Sequence, residues 1–148
     1  MKYFFTLILI FINITYVCAD NKFTYPYEIN IQELNAKTLT FTYKGNAARG
    51  KKTITDRRAN CVSCHQVPIP EEKFQGNFGP SLIDIGKRYT KDEIRLRVIN
   101  SKILNPESIM PSYFVKIEYE RTPAKLLRKT ILSFKEVEDI VEYLYSLK

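Results

Sequence analysis

The chain has 148 residues, and its 23 Lys and Arg against 16 Asp and Glu give a formal net charge of +7. This length suits one domain with a single modest core. The chain has one histidine, three cysteines and two methionines. The single histidine excludes any site in this chain that needs two imidazoles. The basic balance suits acidic partners or small anions, although an ordinary lysine-rich surface explains it equally well.

Residues 1–19 have the pattern of a secretory signal peptide. Lys2 supplies the positive start, and residues 4–12 form an apolar run that is too short to span a bilayer. Cleavage after Ala19 is therefore predicted, which would place the mature chain in the periplasm or outside the cell. Two alternatives stay open: lipidation of Cys18, and retention of the segment as an uncleaved anchor.

Residues 20–44 form an N-terminal extension of open role. The segments "FTYPYEIN" and "LTFTY" within it have weak strand character. The extension either packs on the domain or contacts a partner.

The stretch "NCVSCHQ", residues 60–66, contains the only two cysteines of the mature chain. A zinc site would exhaust Cys61, Cys64 and His65 and still need a carboxylate. A redox dithiol would leave His65 without a role, and it expects a preceding strand, whereas the residues before Cys61 are polar and compatible with a helix. C-x-x-C-H is the attachment signature of c-type haem. The motif therefore predicts one covalently attached haem c, with two thioether bonds to the cysteines and the imidazole on the proximal side of the iron.

The segment "GNFGP", residues 76–80, predicts a turn. Its glycines allow close approach of the backbone, and the carbonyl of Pro80 is a candidate acceptor for the ring N–H of His65, which would fix the tautomer of the ligand. An ordinary surface loop is the alternative.

A short helix is predicted to begin after Thr90, which has the spacing of a capping box with Glu93, and to end by Asn105. The loop "NPESIMPSYF" follows, in which two prolines bracket Met110. Because Met1 leaves with the signal peptide and no second histidine exists, Met110 is the predicted distal ligand of the iron. Ligation by lysine or tyrosine, and an open site, remain alternatives.

The segment from residue 113 to residue 132 mixes basic and apolar residues without a clear period. It is either a docking face or a solvated surface. A terminal helix is then predicted from the capping box of Ser133 and Glu136, and Glu138 and Asp139 near its start would suit the helix dipole. Its apolar stripe comprises Phe134, Val137, Ile140, Val141 and Leu144.

These pieces, in this order, resemble the class I c-type cytochromes. The resemblance implies an all-α fold of helices and loops around one haem, with a cytochrome c domain over residues 45–148. The helix "GNAARGKKTI" resembles the first helix of that family, with Gly50 at the expected close crossing of the terminal helices. This chain has Asn46 where relatives often have aspartate, and asparagine caps a helix about as well.

The segments "CVSCH", "GPSLIDIGKRY", "NPESIMPSYF" and "ILSFKEVEDIVEYLYSLK" together resemble the SoxX subunits of bacterial thiosulfate-oxidising systems. That resemblance implies a heterodimer with a SoxA-type haem subunit, transient contact with a SoxYZ-type carrier and a downstream electron acceptor. The complex would act as an L-cysteine S-thiosulfotransferase, with the sulfur chemistry on the partner and no catalytic residue in this chain. The alternative is a free monohaem cytochrome that shuttles electrons.

Overall fold

The computed structural model describes residues 22–40 and 42–148. The predicted signal peptide, its cleavage site and Cys18 lie outside these residues. None of the helices in these residues combines the length and the hydrophobicity that a membrane span requires. The α-helices are α1 (Ala47–Thr55), α2 (Ile85–Arg88), α3 (Lys91–Asn100) and α4 (Phe134–Ser146), and two 3-10 turns cover Cys61–Ser63 and Ser101–Ile103.

The first and last long helices, α1 and α4, cross at very close range. A Cβ on Gly50 of α1 would lie 2.0 Å from the carbonyl oxygen of Asp139 on α4. Only a residue without a side chain allows the two backbones to approach this closely. The predicted crossing of the terminal helices is therefore confirmed, and four helices with little strand in the described residues agree with the predicted class I cytochrome c fold.

Local capping patterns set the starts of the helices. Thr90 and Glu93 form a reciprocal capping box at α3, and Ser133 and Glu136 form one at α4. At α1 the side chain of Asn46 accepts a hydrogen bond from the backbone N–H of Arg49 at 2.9 Å. All three caps were predicted from the sequence and are confirmed.

The N-terminal extension forms a small antiparallel sheet of strands β1 (Lys22–Thr24), β2 (Tyr27–Asn30) and β3 (Asn35–Thr38), in that spatial order. Strand character in "FTYPYEIN" is confirmed. The described residues of "LTFTY" form no strand. Strand β3 lies earlier, at Asn35–Thr38, where Ala36 is buried in the core, whereas Leu39 is 42% exposed. Tyr27 and Ile29 are also fully buried and belong to the same core as the helices.

Two acidic residues of α4 make buried contacts that the sequence did not predict. Glu138 and Asp139, which were predicted only as negative charge suited to the helix dipole, are buried and pair with arginines. Glu138 accepts from the guanidinium of the buried Arg95 on α3, at 2.8 Å from Nε and 3.0 Å from Nη2. Nη1 of Arg95 also donates to the carbonyl of Ala36 at 2.8 Å. One buried arginine thus joins α3, α4 and β3.

Candidate functional site

A cavity of about 730 Å³ lies among the helices and loops. All five residues that the sequence singled out line it: Cys61, Cys64, His65, Pro80 and Met110. They come from three separate stretches of the chain. The fold therefore brings together two thiols, one imidazole and one thioether around a single space.

The motif residues sit on one tight helical turn. The backbone N–H of Cys64 donates to the carbonyl of Cys61 at 3.2 Å, and that of His65 donates to the same carbonyl at 2.9 Å. Asn60 precedes the turn with φ of 45°, a left-handed conformation that asparagine adopts more readily than most residues. The turn thus holds all three side chains at the wall of the cavity.

The two cysteines are not joined to each other in a disulfide bond. Burial raises the pKa of the Cys61 thiol to about 11, whereas a catalytic dithiol needs a lowered pKa to supply a thiolate. Among residues 22–40 and 42–148, no three His, Cys, Asp or Glu side chains cluster as a metal site would require. The arrangement disfavours both the dithiol and the zinc alternatives.

The imidazole of His65 is held on two sides. Its Nδ1 donates to the carbonyl oxygen of Pro80 at 2.6 Å, and a proline carbonyl can only accept, so Nδ1 carries the proton. A Cβ on Gly79 would lie 2.3 Å from the Cε1 atom of this ring. The backbone of the "GNFGP" turn therefore packs directly on the imidazole and leaves Nε2 as the basic nitrogen.

Met110 is half-buried, and its backbone is held to the preceding helical turn. Its carbonyl accepts from Oγ of Ser101 at 2.9 Å, and its N–H donates to Oγ of Ser108 at 3.3 Å. Lys102 also donates to the carbonyl of Ser108 at 2.8 Å. These bonds fix the loop that carries the thioether at the cavity wall.

Tyr113 was missed by sequence reasoning. It is buried at the cavity wall, and its hydroxyl donates to the carbonyl of Ala59 at 2.7 Å. Burial, reinforced by the nearby cysteines, raises the pKa of this phenol. The bond links the methionine side of the cavity to the residue two positions before the first motif cysteine. The sequence offered no local signal for it, because the partners are 54 positions apart.

Two arginines, Arg88 and Arg97, also line the cavity. Within the described residues, neither has a carboxylate at salt-bridge distance. Arg97 lies over the ring of Tyr89, 3.8 Å from its centroid, and donates to the carbonyl of Glu93 at 2.9 Å. These guanidinium groups are available to acidic groups of a bound cofactor.

The donor set fits a c-type haem. Two thiols suit two thioether bonds, Nε2 of His65 is basic, and the cavity walls are largely apolar, with Ile54, Ile85, Ile94, Val98 and Leu132 among them. The close packing of Gly79 on the imidazole holds the ring of His65 in one orientation, as a histidine that ligates a metal requires.

Comparisons with known proteins agree with this geometry. The sequence profile of the cytochrome c family matches residues 47–148, and this family implies a covalently bound haem c. No curated protein sequence matches the chain. Among solved structures, the crystal structure of SoxXA from P. pantotrophus contains a chain that matches with a TM-score of 0.70 and 27% identity, over 78% of this chain and 91% of that one. The chain therefore belongs to the cytochrome c family as an electron-transfer haem domain, and its resemblance to SoxX-type cytochromes is confirmed.

Proposed function

We propose that this chain is the monohaem, electron-accepting subunit of a periplasmic SoxXA-type complex that joins thiosulfate to a cysteine of a carrier protein. The observation that carries the proposal is the convergence of Cys61, Cys64, His65 and Met110 on one cavity, in a chain that matches a chain of SoxXA. When bound, the haem supplies reversible one-electron chemistry.

Each site residue has one task in this proposal. Cys61 and Cys64 would hold the haem covalently, and Nε2 of His65 and the thioether of Met110 would ligate its iron. The carbonyl of Pro80 keeps the proton on Nδ1 of His65 and raises the basicity of the ligand. A histidine and methionine pair favours a centre of raised potential, which suits an electron acceptor.

The electron count supports a division of labour between two subunits. Joining a thiol to thiosulfate releases two electrons, whereas one haem iron stores one. The mature chain also has no cysteine besides the two of the haem motif. The sulfur chemistry is therefore assigned to a SoxA-type haem subunit, and this chain receives electrons and passes them to a downstream acceptor.

The experiment is a pull-down of the tagged chain from its own host, followed by a haem-stained denaturing gel. The proposal expects one haem on this chain and a second, larger haem-staining band in fixed proportion. The purified pair should be reduced by thiosulfate when the carrier protein is present. A matched chain with Cys61→Ser and Cys64→Ser should lose its covalent haem stain.

Three results would contradict the proposal. A single stained band with no haem-bearing partner would favour a free electron shuttle. Reduction of the isolated chain by thiosulfate would show that this chain reacts with thiosulfate without the SoxA-type subunit, to which the proposal assigns the sulfur chemistry. Absence of covalent stain from the unaltered chain would remove the haem assignment itself.

A further inference from the structure

Residues 115–129, named here the basic loop, connect the methionine side of the cavity to α4. The loop has five basic and two acidic residues, so its fifteen residues hold a net +3 of the formal +7 of the chain. The sequence left open whether this stretch is a docking face or a solvated surface. The placement of its apolar side chains decides between the two.

Large apolar side chains of the basic loop face solvent. Tyr119 is 76% exposed, and Leu126 and Leu127 are 44% and 45% exposed. Val115, at the start of the loop, is 38% exposed. Single exposed apolar residues are common on protein surfaces, but four in one short loop among cations form the mixed surface of an interface.

The loop is held mainly by its own backbone. Ile117 donates to the carbonyl of Lys129 at 3.0 Å, and Arg128 donates back to the carbonyl of Ile117 at 2.9 Å. Thr122 donates to the carbonyl of Tyr119 at 2.9 Å, which closes the turn at its far end. The exposed side chains are thus presented on an ordered surface, so a partner would not have to order the loop on binding.

Most of the positive charge on the loop is uncompensated. Within the described residues, the one carboxylate at salt-bridge distance from a cation of the loop is Glu118, 3.7 Å from Nε of Arg128. No carboxylate of the described part of the chain lies at that distance from the four other cations of the loop: Lys116, Arg121, Lys125 and Lys129. The surface that complements this one is apolar at its centre and acidic around it.

Both ends of the basic loop adjoin the cavity. Tyr113 precedes the loop, Ile131 and Leu132 follow it, and all three line the cavity. The N–H of Leu132 donates to the carbonyl of Tyr113 at 3.0 Å and closes the base of the loop. A protein docked on the loop would therefore lie beside the methionine side of the site.

We propose that the basic loop is a docking surface for the haem-bearing partner subunit, with Lys125 and Lys129 steering an acidic face of that partner and Leu126 and Leu127 packing on its apolar centre. This inference rests on the proposed function, because it takes that subunit as the occupant.

The test measures association and dissociation rates between the purified holo chain and the haem-bearing subunit isolated with it. The charge variant is K125E/K129E, and its matched control is K37E/K44E, which reverses two exposed lysines on the N-terminal side of the chain. The charge variant is expected to associate about tenfold more slowly. The difference should shrink as salt is added, and the control should match the unaltered chain.

The apolar variant is L126S/L127S. Its control is L34S/L39S, which replaces two leucines that are 41% and 42% exposed. The loop variant is expected to dissociate about tenfold faster, since packing at an interface governs mainly the dissociation rate. The haem spectrum of all four variants should be that of the unaltered chain, because each substituted side chain is exposed.

The possible results separate this inference from the proposed function. Retention of the partner by both loop variants at unaltered rates overturns the inference alone. Absence of any haem-bearing partner on the unaltered chain overturns both. Binding of the unaltered chain to phosphatidylglycerol vesicles, lost in the loop variants while partner binding is kept, makes the loop a membrane contact and overturns the inference.

Discussion

At the scale of single residues, the imidazole of His65 is the most constrained group of the site. The carbonyl of Pro80 accepts a hydrogen bond from Nδ1 of the imidazole at 2.6 Å. The backbone of residue 79 lies so close to the ring that only glycine fits there. The thioether of Met110 has no such double restraint, since the bonds that fix it act on its backbone. The two proposed ligands therefore differ in how firmly their reacting atoms are held.

Replacing Met110 by alanine tests the proposed distal ligand. M110A removes the thioether, so the oxidised absorption spectrum should change and the reduction potential should fall, because a histidine and methionine pair raises the potential. Spectroelectrochemical titration of the holo protein measures both. The control is I83A, at an exposed position that does not line the cavity, and it should leave both the spectrum and the potential unaltered. A spectrum and potential shared by M110A and the unaltered chain would exclude Met110 as a ligand.

The site residues that could be predicted from the sequence are the ones with metal-binding or thiol side chains. Cysteine, histidine and methionine are few in this chain, so spacing and supply were enough to select them. Tyr113 and Arg97 could not be selected in this way, since the chain contains ten tyrosines and 23 basic residues. Their roles depend on which distant backbone lies beside them, and no local pattern records that.

At the scale of elements, the helices were predictable because their signals are local. A capping residue and its partner are three positions apart, and an apolar stripe repeats within a few turns. The position of β3 was not predictable in the same way. A strand is defined by its neighbour, and Ala36 becomes a core residue only when it faces Ile29 across the sheet.

Asp139 of α4 is bonded to residues on and just before α1, so it is expected to make the crossing of these helices sensitive to acid. Burial alone would raise its pKa, but hydrogen bonds from Arg49, the N–H of Asn46 and the hydroxyl of Tyr43 hold the pKa below its usual value. A carboxyl with a lowered pKa in the folded state contributes stability that is complete above its unfolded pKa and is lost as the pH falls through the folded value.

D139N is therefore expected to lower the free energy of unfolding by about 1–3 kcal/mol at neutral pH. The difference from the unaltered chain should narrow as the pH falls below about 4, the unfolded pKa of aspartate. Urea unfolding across a pH series measures this. The control D84N replaces an exposed carboxylate, 3.4 Å from Lys87, and should change stability by less than about 1 kcal/mol. A difference for D139N that is constant down to acid pH would contradict the assignment.

At the scale of the whole molecule, the N-terminal sheet and the helices share one core. Tyr27, Ile29 and Ala36 are fully buried in the cluster that also contains Val137 and Ile140 of α4. The cytochrome c family profile matches the chain only from residue 47 onward. The sheet therefore lies outside the residues that the profile covers. The shared core predicts that the sheet and the helices unfold together.

Arg95 is the residue through which this coupling can be tested. R95M removes the cation that pairs with the buried Glu138 and donates to Ala36, and a buried charge left without its partner costs about 3–5 kcal/mol. Because the stability of a domain is about 5–15 kcal/mol, the loss should be large.

Chemical unfolding of R95M is followed by far-UV circular dichroism for the helices and by near-UV circular dichroism for the buried aromatic residues, which include Tyr27. Both signals should move together to a lower denaturant concentration. The control is R57M. Arg57 is exposed and has no carboxylate at salt-bridge distance among the described residues. Its replacement should leave the denaturant concentration at the unfolding midpoint close to that of the unaltered chain. Separate transitions for the two signals would mean that the sheet is a satellite of the helical core, and equal midpoints for R95M and R57M would mean that the buried pair does not stabilise the fold.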